Sequence, residues 1–241
     1  MEYTQFIAAI RREGDDCTRA AREAGIDAKV PSCGDWTVAD LCSHLGRLHR
    51  WVADIVDSRP VQFKTSWDKI ETPEGDALLD FLGSGYGLMA DALESIPPTE
   101  RLWSWTDDGT AAFWARRQAH ELAVHRYDAQ LAAGFSEPID RELAVDGIQE
   151  VFDILPFRTS GRTGPGHGET IHLHCTDGEG EWLIRHNPDG VEVTREHAKG
   201  DVAARGSASD LLLMLWGRIQ PEQLEVFGNA ELLARFDNAR L

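Results

Sequence analysis

Four segments in the first half of the chain carry apolar residues at helical spacing, and they constrain the fold more than any other feature. Each segment ends near a glycine or a proline, the residues that stop helices most effectively. The predicted helices run from Tyr3 to about Ala24, from Thr37 to just before Pro60, from Asp76 to about Ser95, and from Ala112 to about Ala133. Four such helices in succession predict an antiparallel four-helix bundle, a fold that builds metal sites from side chains facing its interior.

The start of the second helix has a recognisable capping pattern. Thr37 is placed to cap the first turn. Asp40, three residues later, is placed to bond back to Thr37 as the second residue of a capping box. The polar stretch between Ser58 and Glu74 that follows this helix is predicted to be a long loop. Connections of that length are often functional, so this loop is a candidate cover for a site.

The second half of the chain has a different pattern. After a short helix, predicted from Arg141 to about Leu155, the glycine-rich segment Gly161–Gly168 is typical of a linker or loop. Three short apolar runs follow, at Ile171–Cys175, Trp182–Ile184 and Val191–Val193. Asp-Gly turns separate these runs, and the pattern therefore predicts an antiparallel β-meander.

The end of the chain returns to helical patterning. Ser207 is placed to cap an apolar helix over Leu211–Trp216, and a further helix is predicted from Ala230 to Phe236. The fold class is therefore predicted as α+β. Residues 1–150 are predicted to form the four-helix bundle, and residues 151–241 a small α/β domain containing the antiparallel meander.

The net charge of the chain limits the kinds of molecule that the protein can bind. The formal net charge is -17, and such a field repels nucleic-acid backbones and disfavours anionic membrane surfaces. We therefore expect no nucleic-acid or membrane partner. A small anionic substrate would need a local arginine to offset the field.

The chain has no basic, apolar leader at its N-terminus and no apolar run long enough to span a bilayer. Its cysteines are Cys17, Cys33, Cys42 and Cys175. They are scattered without a C-x-x-C pair, so we interpret them as free thiols that mostly serve in packing. These features predict a cytoplasmic protein, either a monomer or a small homo-oligomer.

One carboxylate–imidazole pair in the fourth helix indicates a metal site. Glu121 and His125 are four residues apart in the fourth helix, so they share one face, and His44 lies about two turns into the second helix. Two imidazoles and a carboxylate from packed helices make a three-ligand metal site typical of catalytic zinc. Chance surface pairing of Glu121 with His125, and a core position for His44, are the alternatives. His49 and His120 point away from the proposed face.

A second histidine pair lies in the predicted meander. His172 and His174 are two residues apart, so they share one face of a strand in the manner of an H-x-H metal motif. The sequence shows no evident third ligand. We therefore interpret both as belonging to the solvated face of the sheet.

Three stretches of the sequence closely resemble the mycothiol-dependent maleylpyruvate isomerase family. They are Cys33–Leu45, Trp114–Asp128 and Asp210–Arg218. The resemblance implies a DinB-like four-helix metal-binding domain followed by a sterol-carrier-like domain. It also implies Zn²⁺ or another divalent metal as a cofactor, with His44, Glu121 and His125 as its ligands, and mycothiol as the second cofactor.

The resemblance further implies a mechanism. The metal-activated thiolate of mycothiol adds to an electrophilic small molecule, either to isomerise a cis double bond in a maleylpyruvate-like acid or to transfer the thiol. Arg218 matches the C-terminal arginine that the family uses in activity, and it would hold a substrate carboxylate. Its alternative role is to complement the dipole at the end of a helix.

Two kinds of alternative remain open at this level. Arg117 and Gln118 are placed to orient Glu121, and Asp128 to hold an imidazole N–H of His125, although each is also an ordinary packing or surface position. The competing functions are a thiol-independent zinc hydrolase and a non-catalytic DinB-like binding protein.

Overall fold

The computed structural model describes residues 1–59, 67–158 and 166–239. The chain divides into two compact units, Met1–Glu137 and Pro138–Leu241. This division comes before the predicted boundary at residue 150. The reason is that helix α5 (Arg141–Arg158) packs mainly against helix α6 (Ala208–Leu215), so it belongs to the second unit.

Four α-helices make up the first unit in the described part of the chain, as predicted. Their bounds are Tyr3–Ala24 (α1), Val38–Ser58 (α2), Ala77–Glu94 (α3) and Ala111–Ala132 (α4). Helix α1 packs chiefly against α4, and α2 packs chiefly against α3. The capping box at the start of α2 is confirmed: the amide of Asp40 donates to Thr37 Oγ1, and the amide of Thr37 donates to Asp40 Oδ2.

Small residues let these helices approach one another closely. A methyl group at Gly46 of α2 would collide with the ring of Phe81 on α3, and one at Gly14 of α1 would collide with the ring of Tyr86. Aromatic rings fill the interior near the start of α4, where Trp114 makes edge-on contacts with Trp51 and Trp105. The unit therefore has a dense core that holds α2 and α4 in place.

The second unit is built on a mixed sheet, in which five strands fall within the described residues. The strands are Glu169–Cys175 (β1), Glu181–Asn187 (β2), Gly190–Thr194 (β3), Val202–Gly206 (β4) and Glu225–Gly228 (β5). Their order is β3-β2-β1-β4-β5. The antiparallel meander of β1, β2 and β3 is confirmed. Strand β4, parallel to β1, and strand β5, antiparallel to β4, were not predicted.

The helical predictions in this unit are confirmed with small adjustments. The hydroxyl of Ser207 caps α6 by accepting a hydrogen bond from the amide of Asp210. The segment Ala230–Ala239, predicted as an α-helix to Phe236, is a 3-10 helix. Of the predicted linker Gly161–Gly168, residues 161–165 lie outside the described residues.

Two expectations about the chain as a whole can be compared with the structure. None of the four cysteines, all of which are described, is in a disulfide. Within the described ranges, no helix combines the length and apolar character that crossing a bilayer requires.

Candidate metal centre

The structure brings the three predicted ligands together in the first unit. Glu121 and His125 lie one turn apart on α4, and His44 reaches them from α2. Glu121 Oε1 lies 3.4 Å from His44 Nε2 and 3.3 Å from His125 Nε2. One donor atom from each residue lies within 4.8 Å of the other two. The grouping is therefore a real three-donor cluster, and Glu121 and His125 are not a surface pair.

The distances fit a metal ion. Zinc bound at about 2.0–2.2 Å in a tetrahedral site separates neighbouring donor atoms by about 3.3–3.6 Å. The two distances from Glu121 Oε1 to the imidazole nitrogens fall in that range. Two imidazoles and one carboxylate are also the donor set of catalytic zinc sites. The residues present therefore suit a divalent metal ion.

Arg117 orients the carboxylate. Its Nη2 atom lies 2.9 Å from Glu121 Oε2, so one oxygen of Glu121 faces the imidazoles while the other accepts from the guanidinium. Burial alone would raise the pKa of Glu121, but the hydrogen bonds with His125 and His44 and the charge of Arg117 hold it well below its usual range. The carboxylate is thus kept ionised, as a ligand must be.

Asp128 orients one imidazole. Asp128 is fully buried, and its Oδ2 lies 2.8 Å from His125 Nδ1. Ser32 donates to the other oxygen of Asp128, and Cys33 Sγ lies 3.3 Å from Oδ2. A histidine that donates from Nδ1 to a carboxylate leaves the Nε2 lone pair for a metal. Here that Nε2 is the atom nearest Glu121.

The same contacts stabilise positive charge on His125. Burial would lower the pKa of His125, but the hydrogen bonds to Asp128, Cys33 and Glu121 raise it well above its usual value. A ring with this pairing is a strongly basic ligand once it is deprotonated. Of the two roles considered for Asp128, the structure therefore supports orientation of His125.

Replacing Asp128 by asparagine should weaken metal binding without removing any ligand. The amide cannot supply the negative charge that holds His125, and loss of such a partner typically costs about 10–100-fold in metal affinity. Competition with a chromogenic chelator would measure this loss. Asp57→Asn, at an exposed position of α2, is the control, and an unchanged affinity in Asp128→Asn would contradict the role.

Two tryptophans that the sequence did not single out as site residues line the cluster. The Trp36 ring lies 5.2 Å from the His44 ring and 6.4 Å from the His125 ring, centroid to centroid, and is nearly parallel to the latter. The Trp67 ring lies 5.2 Å from that of His44. Trp67 belongs to the loop predicted as a cover and contacts the site, whereas residues 60–66 of that loop lie outside the described residues.

The other candidates from the helices lie outside the cluster. His49 and His120 are fully buried in the bundle, and neither belongs to the three-donor group. Burial lowers the pKa of His49 to about 3, so its ring is neutral. Gln118 is also buried, and its side-chain oxygen finds no hydrogen-bond partner in the described part of the chain; its role beside Glu121 stays a prediction.

Arg218 lies in the second unit, just after α6. Its Nη1 donates to the carbonyl oxygen of Trp216 at 2.8 Å, and its guanidinium carbon lies 5.6 Å from the centre of the Trp216 ring. Its role as a substrate-binding residue stays a prediction.

The interpretation of His172 and His174 as a solvated pair without a third ligand is wrong. His172 is buried, and Glu181 and His197 join the two histidines in one four-residue group. The sequence did not reveal this because His197 lies in the connection between β3 and β4, whose path depends on the sheet.

These observations define the class of protein. It is a two-unit α+β protein, with a candidate two-histidine, one-carboxylate metal centre in a unit of four helices and a second unit built on a mixed sheet. Residues 7–130 match the mycothiol maleylpyruvate isomerase N-terminal domain, and residues 142–235 match the MDMPI C-terminal domain. The chain therefore belongs to the mycothiol maleylpyruvate isomerase family, and the resemblance carried by its motifs is confirmed.

Solved structures share the fold over nearly the whole chain. The crystal structure of the mycothiol-dependent maleylpyruvate isomerase superposes with a TM-score of 0.63 at 14% sequence identity, covering 94% of this chain and 93% of that chain. A histidine-to-alanine mutant of that isomerase gives 0.63 at 13% identity with the same coverage. Among curated proteins, none matches this sequence significantly. Likeness at such low identity establishes the fold alone.

Proposed function

We propose that this protein is an enzyme that uses mycothiol and a divalent metal ion, zinc by its donor set, held by His44, Glu121 and His125. The observation that carries the proposal is the convergence of three donor atoms within 4.8 Å. Membership of the mycothiol maleylpyruvate isomerase family supports the choice of thiol. Substrates are small electrophiles, and maleylpyruvate-like acids are the leading candidates.

The chain's own residues keep the site in a reactive arrangement. An ion bound there would stabilise the thiolate form of a thiol and so supply a nucleophile at neutral pH. Arg117 and Asp128 hold Glu121 and His125 in their ligand orientations. Trp36 and Trp67 both pack against the His44 ring.

The reaction itself follows from thiolate chemistry. A thiolate that adds to a cis double bond conjugated with a carbonyl group converts that bond to a single bond, about which the adduct rotates. Expulsion of the thiolate then returns the trans isomer. If the enolate formed by the addition takes up a proton from water instead of expelling the thiolate, the product keeps the thiol, which amounts to S-transfer. Both outcomes use the same residues, so isomerisation and S-transfer stay alternatives within this proposal.

Turnover with and without mycothiol tests the proposal. Purified protein loaded with zinc should convert a cis-enoic acid such as maleylpyruvate, or conjugate an electrophile, only when mycothiol is present. Ultraviolet absorbance follows the double bond, and mass spectrometry detects a thiol conjugate. Turnover that is equally fast without thiol would replace the proposal with zinc hydrolysis. Absence of turnover across a panel of cis-enoic acids and electrophiles would favour a binding protein.

Replacing Arg218 by alanine should impair substrate binding and leave the metal in place. A protein of net charge -17 needs a local cation to hold an anionic substrate. Loss of a charged hydrogen bond costs about 1.5–3 kcal/mol, or about 10–100-fold in kcat/KM for a carboxylate substrate. Steady-state kinetics and metal analysis measure the two effects. Arg205→Ala, at a partly exposed ion pair with Glu225, is the control. Zinc loss in Arg218→Ala would overturn the assigned role.

A further inference from the structure

Four metal-binding side chains meet on one face of the sheet in the second unit. They are His172 and His174 on β1, Glu181 on β2, and His197 in the connection between β3 and β4. One donor atom from each lies within 4.8 Å of the other three. We propose that this group, the sheet cluster, binds a second divalent metal ion, with zinc as its preferred occupant. The proposal is independent of the function assigned to the first unit.

Strand geometry places three of the four residues. His172 and His174 are two residues apart on β1, so they point to the same face of the sheet. Glu181 lies directly opposite His174 in the antiparallel pairing of β1 with β2, and therefore diagonally from His172. Its carboxylate reaches both rings, with Oε1 at 3.0 Å from His174 Nδ1 and Oε2 at 3.2 Å from His172 Nε2.

His197 completes the group from a different part of the chain. Its Nδ1 lies 2.7 Å from Glu181 Oε2, although 80% of its side chain is exposed to solvent. The three imidazole centroids lie 5.9, 5.7 and 6.0 Å apart, which makes a nearly equilateral triangle of rings beside the carboxylate. An exposed side chain gains little from a single ion pair at the surface. Its convergence with two other imidazoles therefore points to a shared ligand.

The donor set indicates the ion. Three imidazoles and one carboxylate are four nitrogen and oxygen ligands, a number that fills a tetrahedral zinc site. Imidazole donors suit Zn²⁺, Co²⁺, Ni²⁺ and Cu²⁺, and exclude Ca²⁺ and Mg²⁺, which prefer oxygen. Tetrahedral donors lie about 3.3–3.6 Å apart. The carboxylate–imidazole separations here, 3.2, 3.0 and 2.7 Å, are shorter and are hydrogen-bonding distances, so the side chains would have to move apart to admit an ion.

A hydrogen-bonded cluster without metal is the competing explanation. In that arrangement three rings share one carboxylate, and protonation of more than one ring would bring like charges close together. A divalent ion removes this conflict, because it binds the neutral form of every ring.

Four protein ligands would make the site structural. A metal with four protein ligands has no open coordination position, which is the property of structural zinc sites. The ion would tie the connection containing His197 to β1 and β2. We therefore expect it to stabilise the second unit and to take no part in chemistry.

Zinc stoichiometry in the untagged full-length protein tests the proposal. Glu121→Ala, which removes a ligand of the candidate centre in the first unit, should still bind one zinc ion per chain. Adding His197→Ala to that background should lower the remaining zinc affinity at least tenfold, because a tetrahedral site loses one of four ligands. Atomic emission and competition with a chelator measure both quantities. Because His197 is exposed, its replacement should not unfold the unit.

A matched variant and a spectroscopic readout complete the test. His167→Ala removes another exposed histidine of the same unit and should leave binding unchanged. Co²⁺ titrated into the Glu121→Ala protein should give the intense visible bands of tetrahedral coordination, and these should vanish with Glu181→Gln or His197→Ala. If the Glu121→Ala protein takes up no zinc or Co²⁺ at micromolar free metal, or if His197→Ala leaves its affinity unchanged, the proposal is wrong.

Discussion

Replacing Glu121 by glutamine is expected to remove the metal from the first unit and with it thiol-dependent turnover. The amide keeps the size of the side chain but loses the charge that offsets the ion, and its oxygen would no longer face two imidazoles and Arg117 as a carboxylate does. A metal ion contributes several kcal/mol to such chemistry, so kcat/KM should fall about 10³-fold or more. Metal analysis and turnover on the same preparation measure both losses.

The control for this variant is Glu23→Gln, which changes the same chemical group at an exposed position of α1. It should retain full metal content and activity. His44→Ala and His125→Ala should behave like Glu121→Gln, since each removes a donor from the same cluster. If Glu121→Gln kept both its metal and its activity, the assignment of the ligands would be wrong. Loss of activity with metal retained would make Glu121 a catalytic group and not a ligand.

Replacing Arg126 by methionine is expected to destabilise the first unit strongly. Arg126 Nε lies 3.0 Å from Glu13 Oε2, and both side chains are 4% exposed. Its Nη1 also donates to Gln130 Oε1 and to the carbonyl oxygen of Glu137, each at 2.7 Å. Methionine would leave the buried carboxylate of Glu13 to Arg12, whose side chain is half exposed, and would remove a donor from Gln130 Oε1 and from the carbonyl oxygen of Glu137. Breaking a buried pair from one side costs about 3–5 kcal/mol in unfolding free energy.

Urea denaturation followed by far-ultraviolet circular dichroism measures this loss in the helical unit. Arg11→Met is the matched control, because Arg11 also pairs with acids, here Asp91 and Glu94, but at the exposed surface. That variant should cost less than about 1 kcal/mol. Adding Glu13→Leu to Arg126→Met should recover part of the stability, since it removes the buried carboxylate that has lost Arg126 as its partner. Equal losses in Arg126→Met and Arg11→Met would show that burial of the pair does not matter.

The helices were predictable because the information that defines them is local. The capping box of Thr37 and Asp40 and the stop at Gly25 involve residues within one turn of the helix end. The β1–β2–β3 meander was equally accessible, because Asp-Gly turns join strands that are neighbours in sequence.

The rest of the fold depends on pairings between distant residues. Strand β4 pairs in parallel with β1 after a long crossover connection, and no local turn motif in the sequence predicts such a pairing. Helix α5 lies close in sequence to the helical unit, but it packs on α6. The predicted boundary at residue 150 therefore came too late, since composition alone does not show which core an amphipathic helix joins.

In both candidate metal clusters, the sequence showed which residues close together in the chain share a face, and the tertiary structure decided which other residues join or surround them. The sequence predicted the pair Glu121 and His125, because helix periodicity alone puts residues four apart on one face, and it offered His44 as a third ligand from a separate predicted helix. The H-x-H pair of β1 was visible for the same reason. Only the tertiary structure decided that Asp128 and Trp67 surround the first cluster and that His197 completes the second. Periodicity reports which side chains share a face, whereas the partner that meets that face is chosen by packing between elements far apart in the chain.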